Sequence, residues 1–151
     1  KEHVHDSDAV IRARIAESTR FASSNYASFI YSELNEDPNA EVRATVFRAM
    51  AKHDTTEYQN DLLKGLEDPS GMVRLAAIRT IGWTHLPIPI ESLEPLLTDV
   101  DPNVRLHSLR SIFRLYPEQA QSLSQLKALL QDVDPKVQRE AQRIKAYDSA
   151  N

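Results

Sequence analysis

The chain has no cysteine, only 3 glycines in 151 residues and no long apolar run. Without cysteine there can be no disulfide, no thiolate metal site and no cysteine nucleophile. Without about 20 consecutive apolar residues there is no candidate membrane-spanning helix. The scarcity of glycine beside 8 prolines favours helices joined by tight turns over a β-rich fold. The remaining composition, 41% hydrophobic and 26% charged residues, is typical of a globular domain.

A repeat with a period of 31 residues runs through the sequence. A Val-Arg pair or its equivalent occurs five times, with a last spacing of 33 residues: Ile11-Arg12, Val42-Arg43, Val73-Arg74, Val104-Arg105 and Val137-Gln138. Six residues before each Arg, or before Gln138, stands an aspartate: Asp6, Asp37, Asp68, Asp99 and Asp132. Two columns that recur in five units indicate a repeat protein.

A good helix N-cap stands four residues before each Arg, or before Gln138. The caps are Asp8, Asn39, Ser70, Asp101 and Asp134. Their side-chain oxygens can accept a hydrogen bond from an otherwise unpaired N–H of the first helical turn. Pro102 and Pro135 follow two of the caps, at the first helical position, where a missing N–H costs little. A helix is therefore predicted to begin after each cap.

We name the helix after each cap a B helix and the helix before each column aspartate an A helix. The predicted B helices span residues 8–20, 40–52, 71–83, 102–115 and 135–147. The predicted A helices span residues 24–35, 55–66, 89–98 and 118–131. Apolar residues at helical spacing support both kinds, for example Val42, Val46 and Met50 in a B helix. One such pair cannot bury its apolar face alone, so the pairs are expected to stack.

The columns resemble the HEAT repeat family, in particular its short bacterial type, also named phycocyanobilin-lyase-like repeats. That family's pattern is an Asp followed five residues later by Val-Arg and then by small residues, as in Asp68, Val73-Arg74 and Ala76-Ala77. The resemblance extends from Asp6 to Tyr147. It implies an all-α fold, a right-handed α-solenoid of about five stacked helix pairs, with the B helices on the concave surface. It also implies that the Asp and Arg columns form a hydrogen-bonded ladder between repeats.

The repeats predict a single solenoid domain over residues 1–151. Its first unit begins with a B helix and lacks the A helix, which favours a fragment or mature part of a longer chain. Gln138 replaces the column arginine in the last unit, and such a departure is typical of a capping repeat.

The basic residues are concentrated in the B helices. The stretches 11–20, 42–53, 73–83, 104–116 and 137–147 hold 14 of the 18 Lys and Arg residues, but only Glu17 and Glu140 of the 22 acidic ones. The A helices and turns are correspondingly acidic, and the chain has a formal net charge of −4.

Two further columns on the B helices predict a binding surface. Five residues after the ladder position stand Arg48, Arg79, Arg110 and Arg143, with Glu17 in the first repeat. Four residues later, on the same helix face, stand Lys52, Trp83, Arg114 and Tyr147, and His107 lies one turn before Arg110. Arginine suits carboxylate or phosphate recognition, and aromatic side chains supply contact area. These residues predict a basic and aromatic stripe on the concave face; the alternative is a merely solvated helix face.

The segment from Trp83 to Ile90 is an unusually apolar turn. It either forms a small contact patch or folds back over the adjacent repeat. Trp83 itself either packs beneath residues 84–88 or lies exposed.

No motif indicates catalysis. The sequence has no P-loop, no glycine-rich phosphate loop and no Ser-His-Asp order with supporting motifs. It also lacks the His-Glu pairs of HEAT-type iron hydroxylases. We therefore expect a non-enzymatic scaffold without catalytic residues, cofactor, metal or membrane contact, whose partner is a protein or an acidic peptide. Two alternatives are an accessory chromophore-lyase-type HEAT protein and a nucleic-acid-binding HEAT-like module; the net acidity weighs against the second.

Overall fold

A computed structural model describes residues 3–147, so residues 1–2 and 148–151 of the predicted domain lie outside the described range. This part of the chain is helical and contains no strand. Its α-helices are α1 (Ala9–Ser18), α2 (Ser24–Leu34), α3 (Ala40–Met50), α4 (Gln59–Gly65), α5 (Gly71–Thr84), α6 (Pro102–Leu115), α7 (Pro117–Ser122), α8 (Leu126–Leu129) and α9 (Pro135–Lys145). Four short 3-10 helices cover Thr19–Phe21, Thr55–Tyr58, Ile90–Ser92 and Glu94–Thr98.

The B helices α1, α3, α5, α6 and α9 begin as the caps predict. Four cap side chains accept a hydrogen bond from the backbone N–H two residues further along the chain. These caps are Asp8, Asn39, Asp101 and Asp134. The prediction for Ser70 is wrong in one respect, because its side chain makes no capping bond although its backbone has the same extended conformation. Each ladder aspartate accepts the N–H of the cap residue itself, as Asp68 does from Ser70 at 2.8 Å. This bond holds the turn even where the cap hydroxyl does not contribute.

The A layer is less regular than predicted. The helix expected over residues 89–98 is instead a pair of 3-10 turns, because Pro95 lacks an N–H and its ring obstructs a regular α-helix. The helix expected over residues 118–131 breaks into α7 and α8 at Leu123, whose backbone is extended (φ −55°, ψ 129°). The break leaves both Leu123 and Leu126 buried. The span 55–66 opens with a 3-10 turn before α4.

The core lies between the two layers, and the predicted apolar faces are buried. In the B helices, the side chains of Val42, Val73 and Val104 are fully inaccessible, and so are those of Leu62 and Leu93 in the A layer. Successive B helices pack against one another from α1 to α9. The prediction of an all-α solenoid of stacked helix pairs is therefore confirmed.

Polar side chains also join neighbouring B helices. The Thr80 hydroxyl donates to the carbonyl of Phe47 at 2.8 Å, and the Ser111 hydroxyl donates to that of Ile78 at 3.1 Å. Gly82 lets α5 approach α6 closely at this point. A Cβ at position 82 would come within 2.1 Å of Ser111 Oγ and 3.3 Å of the Ser111 Cα. The stack is thus held by close backbone approach as well as by apolar burial.

Candidate functional site

Each ladder arginine joins two repeats at the beginning of the B helices. Arg43 donates from Nε and Nη2 to the two carboxylate oxygens of Asp68, both at 2.8 Å, and from Nη1 to the carbonyl oxygen of Asp37 at 2.7 Å. The same bidentate pairing links Arg12 to Asp37, Arg74 to Asp99 and Arg105 to Asp132. These arginines are occupied within the protein, so their role is structural.

The ladder lowers the pKa of its aspartates. Burial raises the pKa of Asp99, but the hydrogen bonds from Arg74 and from the Asp101 N–H outweigh this effect and hold the pKa below its ordinary value. The same balance lowers the pKa of Asp37 and Asp68. For Asp132 the hydrogen bond from Arg105 is the largest influence, and the pKa is again lowered. All four carboxylates are therefore charged at neutral pH.

The first and last positions of the ladder differ from the rest. The carboxylate of Asp6 accepts the N–H of Asp8 at 2.9 Å and lies 3.5 Å from the His3 ring. Gln138 donates to the carbonyl of Leu130 at 3.2 Å, within its own repeat. Among residues 3–147, the Asp6 carboxylate therefore receives no arginine, although the Asp6 carbonyl accepts from Arg12 Nη1 at 2.6 Å, and Gln138 reaches no aspartate.

The predicted stripe residues gather in two depressions on the face formed by the stacked B helices. The first, which we name the Trp83 groove, lies between α3 and α5 and encloses about 370 Å³, a small volume for a ligand site. Ala51, Leu75 and Ala76 contribute apolar surface, and its other walls are Arg20, Arg48, Lys52, Met72, Arg79, Thr80 and Trp83. The side chain of Trp83 is 72% exposed and that of Met72 47%. The groove thus combines exposed apolar surface with four cations.

The four cations of the Trp83 groove differ in whether a carboxylate of the protein pairs with them. Arg48 forms an ion pair with Glu41 at 2.7 Å, and Arg20 pairs with Glu17. Lys52 and Arg79 are exposed, and neither forms a hydrogen bond or an ion pair with the described residues. Two positive charges next to Trp83 therefore have no internal partner.

The second depression, which we name the Glu140 groove, lies between α6 and α9. Its walls are Arg110, Phe113, Arg114, Pro117, Glu140, Arg143 and Tyr147. Glu140 is buried and forms ion pairs with both Arg110, at 3.2 Å, and Arg143. Arg143 also lies over the Phe113 ring, 4.8 Å from its centre, and Arg114 donates to the carbonyl of Gly82 at 3.0 Å. The one carboxylate of this groove therefore engages two of its three arginines, and Arg114 has no carboxylate partner among the described residues.

His107 lies between the two grooves. It is half-buried on α6, and burial, together with the charges of Arg79 and Arg110, lowers its pKa to about 4 despite the opposing charge of Glu140. The imidazole is therefore neutral at physiological pH. It adds a polar group to the surface rather than a third positive charge.

The apolar turn after α5 folds back over the repeat. Leu86 and Ile88 are buried, while Trp83 at its beginning is exposed and does not pack beneath the turn. His85 has φ 55° and ends α5, with the Leu86 N–H bonded to the Ile81 carbonyl at 3.1 Å. This left-handed residue turns the chain back towards the core.

The structure adds three residues on this side of the molecule that the sequence pattern did not single out. Met72 and Arg20 line the Trp83 groove, but neither stands in a column that would single it out. Phe21, whose side chain is 93% exposed, follows Arg12 by nine residues, as Trp83 follows Arg74. Extending that column to the first repeat would have found Phe21.

Stacked two-helix units with an Asp–Arg ladder define an α-solenoid repeat protein. The family model for HEAT repeats matches residues 27–112, more than half of the chain, and the protein belongs to the HEAT repeat family. Repeats of this family generally act as protein-interaction scaffolds. A comparison with curated proteins gives no match.

Two further observations concern ligands and membranes. Among the described residues, no three His, Asp or Glu side chains converge in a way that could hold a metal ion. Within residues 3–147, no helix has both the length and the apolar character that crossing a bilayer requires.

Proposed function

We propose that this HEAT-repeat protein is a non-enzymatic scaffold that binds an acidic segment of a partner protein on its B-helix face. The observation that carries the proposal is the Trp83 groove, where two unpaired cations, Lys52 and Arg79, flank exposed Trp83 and Met72. Carboxylates would neutralise the cations, and the aromatic ring and thioether would cover apolar side chains of the partner.

The distribution of charge supports a protein partner. The acidic residues lie mainly in the A helices and turns, so a long polyanion would be repelled wherever it left the B-helix face. A short acidic segment can lie within the basic face and avoid that repulsion. The same charges would speed its association at low salt.

Binding can be tested by fluorescence anisotropy with a panel of fluorescein-labelled acidic peptides, and with basic peptides as the reference. The variant Lys52→Glu/Arg79→Glu should weaken acidic-peptide binding at least tenfold. The matched variant Lys64→Glu/Lys127→Glu changes the net charge equally, but on α4 and α8 in the A layer, and should bind as wild type. Both variants should keep the wild-type melting curve, since all four residues are exposed.

Three outcomes would contradict the proposal. Acidic peptides that fail to bind would remove it, and so would equal weakening by the two double variants, because binding would then follow net charge alone. Generic duplex DNA that binds more tightly than every peptide, with a steep dependence on salt, would replace it with a nucleic-acid-binding function.

A further inference from the structure

One column of the repeat, at or just after the C-terminal ends of the B helices, alternates between aromatic and basic side chains. It comprises the residues nine positions after each ladder position, which are Phe21, Lys52, Trp83, Arg114 and Tyr147. We name this column the ridge. The aromatic residues occupy the first, third and fifth repeats and the cations the second and fourth. The ridge thus repeats its chemistry every second repeat.

The ridge side chains are available to a partner. The three aromatic side chains are 93%, 72% and 41% exposed in chain order. Tyr147 is the most covered of them because its ring stands edge-on to Phe113, with the ring centres 5.0 Å apart. Lys52 and Arg114 are also exposed. Arg114 donates one N–H to the Gly82 carbonyl, and this bond fixes the direction of the Arg114 side chain. The guanidinium charge has no carboxylate partner among the described residues.

The spacing of the ridge matches a polyproline II helix. Neighbouring packed helices lie about 8–10 Å apart, so successive ridge residues should be separated by about that distance. A polyproline II helix has three residues per turn and a rise of about 3.1 Å, which repeats its side chains every ~9 Å along one edge. In a β-strand, three residues also span about 10 Å, but side chains three positions apart point to opposite faces of the strand. A peptide in polyproline II form can therefore place every third side chain on the ridge.

An amphipathic α-helix fits the ridge less well. Such a helix buries a continuous apolar stripe at least 100° wide. On the ridge, each aromatic side chain is separated from the next by a cation, so the apolar stripe would cover charges in the intervening repeats. A thin extended peptide with isolated apolar residues avoids this cost.

We propose that the partner segment is a polyproline II peptide in which large apolar residues alternate with carboxylates at every third position. Each apolar residue contacts an aromatic residue of the ridge, and each carboxylate binds Lys52 or Arg114. Five ridge positions correspond to thirteen peptide residues. This inference rests on the proposed function and specifies the conformation and the sequence period of its partner.

The test uses three synthetic peptides with blocked termini, labelled with fluorescein. The in-register peptide has Leu at its first, seventh and thirteenth positions, Glu at its fourth and tenth, and Pro or Ala elsewhere. The shuffled peptide has the same composition, but each Leu stands two positions, instead of three, from the neighbouring Glu. The helical peptide has Leu and Glu alternating every seven residues in an Ala and Gln background. The in-register peptide should bind wild-type protein at least tenfold more tightly than either of the others.

Two variants connect the preference to the ridge. Trp83→Ala should remove most of the preference for the in-register peptide, whereas Val133→Ala, at an exposed turn position away from the ridge, should keep it. Lys52→Glu/Arg114→Glu should reject the in-register peptide and bind, with near wild-type affinity, a version in which Lys replaces both Glu residues. Melting curves establish that each variant is folded.

The outcomes separate this inference from the proposed function. Equal affinity for the in-register and shuffled peptides would overturn the register while leaving acidic-peptide binding intact. Preference for the helical peptide would overturn the conformation in the same way. If the acidic panel of the earlier test binds and none of these three peptides does, the register is again wrong; if no acidic peptide binds, both proposals fail.

Discussion

Arg74 donates to both carboxylate oxygens of Asp99, which lies 25 residues further along the chain, from Nε at 2.7 Å and from Nη2 at 2.8 Å. Its third donor group, Nη1, binds the carbonyl of Asp68 at 2.8 Å. The Arg74 side chain therefore stabilises the turn of its own repeat and also binds the aspartate of the next repeat. Because the side chains of Arg74 and Asp99 are largely buried, water could not take the place of either partner if the pair were broken.

Replacing Arg74 by Ala should lower the free energy of unfolding by about 1–3 kcal/mol, because Asp99 and the turn carbonyls lose their donors. Urea unfolding followed by circular dichroism measures the change. Arg14→Ala is the control: Arg14 lies on the exposed surface of α1, and its removal should cost less than about 0.5 kcal/mol. Equal stability of the two variants would show that the ladder does not hold the repeats together.

Acid should destabilise the protein through the ladder aspartates. The pKa values of Asp37, Asp68, Asp99 and Asp132 lie below the ordinary 3.8 in the folded state, so the unfolded chain takes up protons first as the pH falls. This stabilisation is complete well above pH 3.8 and is lost as the pH falls through 3.8 towards the lowered values. Unfolding curves between pH 7 and pH 3 should show this loss, and Arg74→Ala should show less of it.

His107 should report on the charge of the B-helix face. Its pKa of about 4 results from burial first and from Arg79 and Arg110 second. Arg79→Gln should raise that pKa, and so should a bound acidic peptide, because each reduces the positive charge near the ring. The C2 proton of His107 in an NMR titration measures the pKa. A pKa that Arg79→Gln raises but the bound peptide leaves unchanged would mean that the peptide does not reach the Arg79 region, and a pKa that neither changes would mean that Arg79 does not act on the ring.

The low pKa of His107 also affects stability. The folded protein binds fewer protons than the unfolded chain between the ordinary value of 6.5 and about 4, so stability should begin to fall below pH 6.5. His107→Gln should remove this early part of the acid response and leave the later part, which belongs to the aspartates. An identical pH profile for the variant would assign the early loss to another group.

Gly82 should not tolerate a methyl group. Its Cβ would lie 2.9 Å from the Ser111 Cβ and 3.3 Å from the Ser111 Cα, so α5 and α6 would have to separate. Gly82→Ala should therefore destabilise the protein by about 1–3 kcal/mol, although alanine favours a helix interior. The double variant Gly82→Ala/Ser111→Gly should recover part of the loss, which thermal melting measures. A Gly82→Ala variant more stable than wild type would contradict this packing.

Much of the fold follows from local patterns in the sequence. The 31-residue period, the Asp and Arg columns and the caps locate all five B helices within two residues of their observed ends. They do so because a cap, an apolar face and a turn are decided by residues near one another in the chain. The A layer was predicted less well because its segments follow the B-helix surface they cover. At Leu123 burial of an apolar side chain overrides the helical pattern, and at Pro95 the backbone cannot continue as an α-helix.

The sequence by itself also determined which side chains share the B-helix face, because residues in one column of a repeat face the same way. Only the tertiary structure decided which of those charges are free. Glu140 comes from α9 to neutralise Arg110 of α6, and Glu41 pairs with Arg48 within α3, whereas Lys52 and Arg79 meet no carboxylate among residues 3–147. Pairing across repeats depends on distances between helices that are 30 residues apart in the chain. A column of residue types cannot specify those distances; the packing of one helix on the next does.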